Sequence, residues 1–142
     1  MSIDTNVFVS YYLDQRADRN PARVIQAAFD GHFELVLSET LLQELTATIE
    51  SKPYLRSRVS ENELNLFIQR IRGSTRITPE ILGEIPSLTR DSTDDYIIVH
   101  SLLDNVDVLV TGDKNLLVLG RIDNLHIVTP AAFIFLLQQG EE

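Results

Sequence analysis

Apolar residues recur along this chain in two alternating rhythms. Some form short unbroken runs; others form stripes spaced three and four residues apart. The runs predict strands and the stripes predict helices. Asn20-Pro21 opens a helix, with Asn as the cap and Pro in the first turn. Its stripe is Val24, Ile25 and Ala28, and Gly31 stops it. Residues 33–37 (FELVL) read as a buried strand. Ser38 caps the next helix, which carries Leu41, Leu42, Leu45 and Ile49 and ends before Pro53. A further helix covers about residues 60–72 on Leu64, Phe67, Ile68 and Ile71, closed by Gly73. Residues 75–78 form a short strand ended by Pro79, and residues 80–90, with Gly83 and Pro86, a loop. A helix over about 93–103, the strand 107–111 (DVLVT), a helical turn at 114–119, the strand 126–128 and a last helix opened by Pro130 complete the series. Strands alternating with helices imply a parallel sheet covered on both faces.

Sites in such sheets form beyond the carboxyl ends of the strands. The polar residues there are mostly carboxylates. Asp4 follows the first apolar stub, and Asp113 follows DVLVT, where Gly112 lets the backbone turn. Asp91, Asp94 and Asp95 cluster at the start of the helix near residue 93. Each has a plain structural role open to it. Asp94 and Asp95 complement a helix dipole, Ser92 with Asp95 fits a capping box, and Asp4 and Asp113 suit turns. Glu44 is harder to place so. Glu39, Gln43 and Glu50 gather opposite the apolar stripe of their helix, whereas Glu44 lies on its border, next to Leu41 and Thr48. A carboxylate half turned to the core wants a partner, and no Lys or Arg is placed by sequence to supply one. Carboxylates converging on one cleft repel unless a cation sits between them. Oxygen donors alone suit Mg²⁺ or Mn²⁺ rather than zinc. His32, His100 and His126 show no ligand spacing and read as ordinary core or surface residues.

At 142 residues the chain fits a single domain, 1–142, long enough to bury a core. It has no Cys, which excludes a disulfide framework, a zinc–thiolate site and a cysteine nucleophile. No apolar run approaches the ~20 residues that span a bilayer. The opening MSIDTN lacks the basic and apolar regions of a signal peptide, so the expected location is cytoplasmic. The formal charge of −9 excludes a protein that holds nucleic acid mainly by a basic field. It leaves room for an acidic site whose cations meet phosphate. Ten of the twelve basic residues are Arg, and Arg56, Arg58, Arg70, Arg72 and Arg76 fall close together. They form either a solvated face with local ion pairs or a contact for RNA or an acidic partner peptide.

Four pieces in order carry a resemblance: Asp4-Thr5-Asn6-Val7, residues 38–45 (SETLLQEL), 91–97 (DSTDDYI) and 110–117 (VTGDKNLL). Together they resemble the PIN-domain family of metal-dependent ribonucleases, above all the VapC-like toxins of type II toxin–antitoxin systems. The resemblance implies a three-layer α/β/α fold with a central parallel sheet of about four or five strands. It implies that Asp4, Glu44, Asp95 and Asp113 are catalytic acids binding Mg²⁺ or Mn²⁺. Asp95 is preferred to Asp94 because its distance to Asp113 matches similar sequences; Asp94 stays the alternative, and Asp91 is the structural opening of the motif. Thr5, Asn6 and Thr111 match polar positions that hold the acids and water. Asn115 stands where relatives often have Asp, which removes a charge from a second metal site. Only Met1, Ser2 and Ile3 precede Asp4, where relatives carry a strand of about five residues; the strand is short or the true start lies upstream.

The implied activity is hydrolysis of RNA phosphodiester bonds to a 5′-phosphate and a 3′-hydroxyl. The implied partners are an RNA substrate, a cognate antitoxin and a second copy in a homodimer. Three other readings compete. A catalytically inactive PIN-like interaction domain would keep the fold without the chemistry. A receiver-like signalling module would need an acidic pair after the first strand, where Asp4 stands alone. A nuclease for DNA or structured substrates would use an added arch or helical insertions, which this sequence lacks, so small RNA-cleaving relatives fit better.

Overall fold

A computed structural model describes residues 1–14, 16, 18–52, 60–79 and 92–140, with side chains from 95 to 139 in the last stretch. The elements are β1 (Ser2–Ile3), α1 (Thr5–Leu13), α2 (Asn20–Phe29), β2 (Leu35–Ser38), α3 (Glu39–Ser51), α4 (Glu61–Gly73), β3 (Thr75–Thr78), α5 (Ser92–Leu103), β4 (Val108–Val110), α6 (Lys114–Leu117), β5 (Arg121–Ile122), β6 (Leu125–Val128) and α7 (Pro130–Gly140).

Four strands form a sheet in the order β1-β4-β6-β5. The first three run parallel, with Ile3 opposite Val110 and Val108 opposite His126. The fourth, β5, is antiparallel to β6. β2 and β3 pair in parallel, Leu35 opposite Thr75. The Val36 amide donates to the Met1 carbonyl at 2.7 Å and joins this pair to β1. Helices and a mostly parallel sheet build the expected three-layer α/β/α arrangement. All four residues of β2 are buried, the signature of a strand covered on both faces. Ile3, Leu37, Leu109 and Val110 are wholly enclosed in the same core.

Local chemistry sets the helix starts. Ser38 Oγ accepts from the Leu41 amide at 3.0 Å, and Ser60 Oγ accepts from Glu63 at 3.1 Å. Three features differ from the sequence reading. Asn20 is the first helical residue of α2 and Arg19 holds the cap position, so Pro21 serves the first turn without an Asn cap. The sequence pattern did not reveal α1, because Val7, Phe8, Val9, Tyr11 and Tyr12 favour strands by propensity. Packing overrides that preference: Tyr11 stacks on Phe67 of α4 at 5.7 Å, with Phe8 and Tyr12 edge-on to the same ring. The antiparallel β5 is only two residues long, and Asp123 takes φ 52° in the tight turn that follows. The loop expected at 80–90 lies outside the described residues.

One buried polar cluster ties β3 to α5. His100 Nε2 lies 2.8 Å from Asp104 Oδ2, and the Thr78 hydroxyl contacts both. Tyr96 stacks on the imidazole. Burial pushes the His100 pKa down; Asp104 opposes this and Arg76 adds to it. With a folded pKa below its unfolded value, the native state resists a proton that the unfolded chain accepts. The stability contributed by neutral His100 is therefore complete above about pH 6.5, the usual imidazole value, and is lost as pH falls through the lower folded pKa. The urea midpoint should drop from pH 7.5 towards pH 5, and His100→Gln should flatten that slope. An equal slope in both proteins would assign the pH dependence elsewhere.

Candidate active site

β1 and β4 are neighbours and parallel, so their carboxyl ends meet. Asp4 follows β1, and its amide donates to the Val110 carbonyl at 2.9 Å, extending the ladder by one bond. Thr111, Gly112 and Asp113 follow β4. Glu44 arrives from α3, which leaves the end of β2. Asp4, Glu44 and Asp113 line one cleft of about 410 Å³, together with Thr5, Asn6, Ser10, Thr48, Lys52 and Ile97.

Thr111 is the hub beneath it, with 0% of its surface exposed. Its hydroxyl donates to Asp4 Oδ2 at 2.7 Å and accepts from the Asp113 amide at 3.0 Å and Asn6 Nδ2 at 3.5 Å. One donor and two acceptor positions are all a hydroxyl has, so its proton points at Asp4. Asn6 Oδ1 in turn accepts from the Gly112 amide at 3.3 Å. Asp4 occupies the cap position of α1 yet makes no side-chain capping bond. Its carboxylate is held for the cleft. Burial raises the Asp4 pKa above the ordinary carboxylate value, and the Asp113 charge adds to the rise. The Thr111 hydroxyl and the nearby Thr5 and Asn6 amides pull it back without cancelling it.

Asp113 does two jobs. One oxygen caps α6 by accepting from the Asn115 amide at 2.9 Å, and the residue still lines the cleft. Glu44 is half-buried, as its place beside the apolar stripe requires. Asp95 is only 5% exposed, which does not suit a solvated dipole partner. It sits on α5 two residues before Ile97 of the cleft wall. Ser92 is itself the first residue of α5 rather than a cap before it. The Asp94 side chain and Asp91 lie outside the described residues. Asn115 is exposed and does not line the cleft.

The arginines part company. Arg72 makes paired bonds to Glu39, one of them 3.0 Å, and Arg76 Nε donates to Glu34 at 2.8 Å. Arg70 lies 4.2 Å over the Phe29 ring and lines a separate cleft of about 580 Å³ with Arg23 and His32. These three do not line the acidic cleft, and Arg56 and Arg58 lie outside the described residues. Val9, Ser10, Lys52 and Ile97 also line the cleft and were not singled out by the sequence pattern. Lys52 stands eight residues after Glu44, at the extended C-cap just past the end of α3.

The donor set fits a hard divalent cation in kind. Every ligand candidate is an oxygen, the carboxylates repel one another, and Thr5 Oγ1 is buried in the cleft wall with no hydrogen-bond partner. Among the described residues, no three His, Cys, Asp or Glu side chains converge closely enough to enclose an ion. No helix among them is long and apolar enough to cross a membrane.

None of the curated proteins matches the chain. A family model described as PIN domain matches residues 1–115, a span that runs from β1 into α6 and takes in Asp4, Glu44, Asp95 and Asp113. By that match over most of its length, the chain belongs to the PIN-domain family, whose members are generally nucleases and typically bind divalent metals.

Proposed function

We propose that this chain is a Mg²⁺- or Mn²⁺-dependent endoribonuclease. The observation that carries the reading is the one cleft that Asp4, Glu44 and Asp113 all line, with Asp4 gripped from below by Thr111. Asp4, Glu44, Asp95 and Asp113 would hold the metal. When bound, it supplies charge neutralisation of a phosphodiester and an acidified water. The protein's own share is positional. The Thr111 hydroxyl favours the ionised form of Asp4 and holds its carboxylate at the cleft. Asn6 braces the turn after β4 through the Gly112 amide. Ile97 and Val9 limit the water around the acids. A carboxylate of the cleft would take the proton of the attacking water.

The role we assign is the toxin of a VapC-like toxin–antitoxin pair, acting in the cytoplasm as a homodimer of single 1–142 domains. It rests on the four motifs and the family.

The test is RNA cleavage by the purified chain with Mg²⁺, with Mn²⁺ and with EDTA. Cutting in the metal arms that stops in EDTA is the expected result. Neither cutting nor Mn²⁺ binding, in a folded protein, would overturn it and favour the inactive interaction domain.

A further inference from the structure

Lys52 ends α3 and lines the acidic cleft with Asp4, Glu44 and Asp113. Glu44, Thr48 and Lys52 follow at intervals of four, and all three are in the cleft wall. A helix rises about 1.5 Å per residue, so the Lys52 backbone stands roughly 12 Å along the cleft from that of Glu44. Lys52 is exposed and makes no ion pair with any described residue. A cation at a helix C-terminus is favourable in itself. That does not account for its place in the wall of the cleft, about two helical turns along the chain from Glu44.

The substrate needs such a group. A strand whose reacting phosphate sits at the acids must lay its neighbouring phosphates along the cleft, on a protein of formal charge −9. Lys52 is the cation lining that path among the described residues. Building on the ribonuclease reading above, we infer that Lys52 is a positioning residue that receives a phosphate of the RNA strand beside the one being cut. It sets the register of the strand over the acids and takes no part in the chemical step.

Two variants test this. Lys52→Gln removes the charge; Lys52→Arg keeps it. Binding is measured by anisotropy of a short mixed-sequence single-stranded RNA in Ca²⁺ over a range of salt, and cleavage in Mg²⁺ or Mn²⁺. Lys52→Gln should weaken binding about three- to tenfold at low salt. The slope of log affinity against log salt should shrink by about 0.7, the value for one phosphate contact to a single strand. KM should rise with kcat held within about threefold, and Lys52→Arg should restore both binding and slope. Unchanged affinity and slope in Lys52→Gln, with a wild-type chain that binds and cuts, would overturn this inference alone. So would a loss confined to kcat. A wild-type chain that neither binds nor cuts RNA would overturn the inference and the ribonuclease reading together.

Discussion

Asp4→Asn is expected to abolish cleavage while leaving the protein more stable at neutral pH. The activity loss should exceed about a hundredfold, since even outer-shell partners of metal ligands cost ten- to a hundredfold. The gain in stability follows from the pKa. Burial first, and Asp113 second, raise the Asp4 carboxyl above its unfolded value. A group raised in this way contributes stability below its unfolded pKa and loses it as pH rises through the folded one. At pH 7, above the unfolded value, Asp4 therefore contributes less to the fold than it does in acid. Asn keeps an oxygen to accept from Thr111 and sheds the charge. The melting temperature at pH 7 should rise, and the advantage should shrink as the buffer is taken towards pH 4. Mn²⁺ gives the complementary reading. At a hundredfold excess over its Kd, an ion that binds only the native state adds about 2.7 kcal/mol. That increment should appear in the wild type and fade in Asp4→Asn. An Asp4→Asn protein that melts lower than wild type at pH 7 would contradict the electrostatic account.

Thr111→Val should behave in the opposite way, losing stability together with activity. Valine fills the same buried space without the hydroxyl. Asp4 loses its donor, and the Asp113 amide and Asn6 Nδ2 lose their acceptor. An unsatisfied buried polar group costs about 1–3 kcal/mol. Cleavage should fall about ten- to a hundredfold, the range for groups that orient metal ligands. Thr111→Ser, which restores the hydroxyl, should recover most of both. Urea unfolding and cleavage rates measured on the three proteins check this. Full activity in Thr111→Val would show that Asp4 is positioned by the β1–β4 ladder alone.

The alternation of strands and helices was legible because each run of apolar residues keeps one period. Ser38 announced α3 as a side chain that can satisfy a free amide, and Glu44 stood out because a carboxylate broke an apolar stripe. What stayed hidden depended on distant residues. Nothing local makes Phe8, Tyr11 and Tyr12 helical; they pack on Phe67, more than fifty positions away. The grip of Thr111 on Asp4 needs β1 and β4 side by side, and a pattern along the chain carries no pairing information. Lys52 stayed hidden because it stands beyond the last turn of α3, where helical spacing no longer relates it to Glu44. The pairing of Arg72 and Arg76 with Glu39 and Glu34 answers part of the charge-run question in favour of local ion pairs.

The bond between Thr111 and Asp4 spans 107 positions, and β4 is the inner strand that β1 must find. On a translating ribosome, Asp4 is made 107 residues before Thr111 and 109 before Asp113. Until they emerge, the cleft has no floor and lacks one of its acids. On the ribonuclease reading, a nascent chain surrounded by the messenger that encodes it therefore carries no assembled cutting centre. The site closes only when β4 docks beside β1 and brings Thr111 and Asp113 to Asp4.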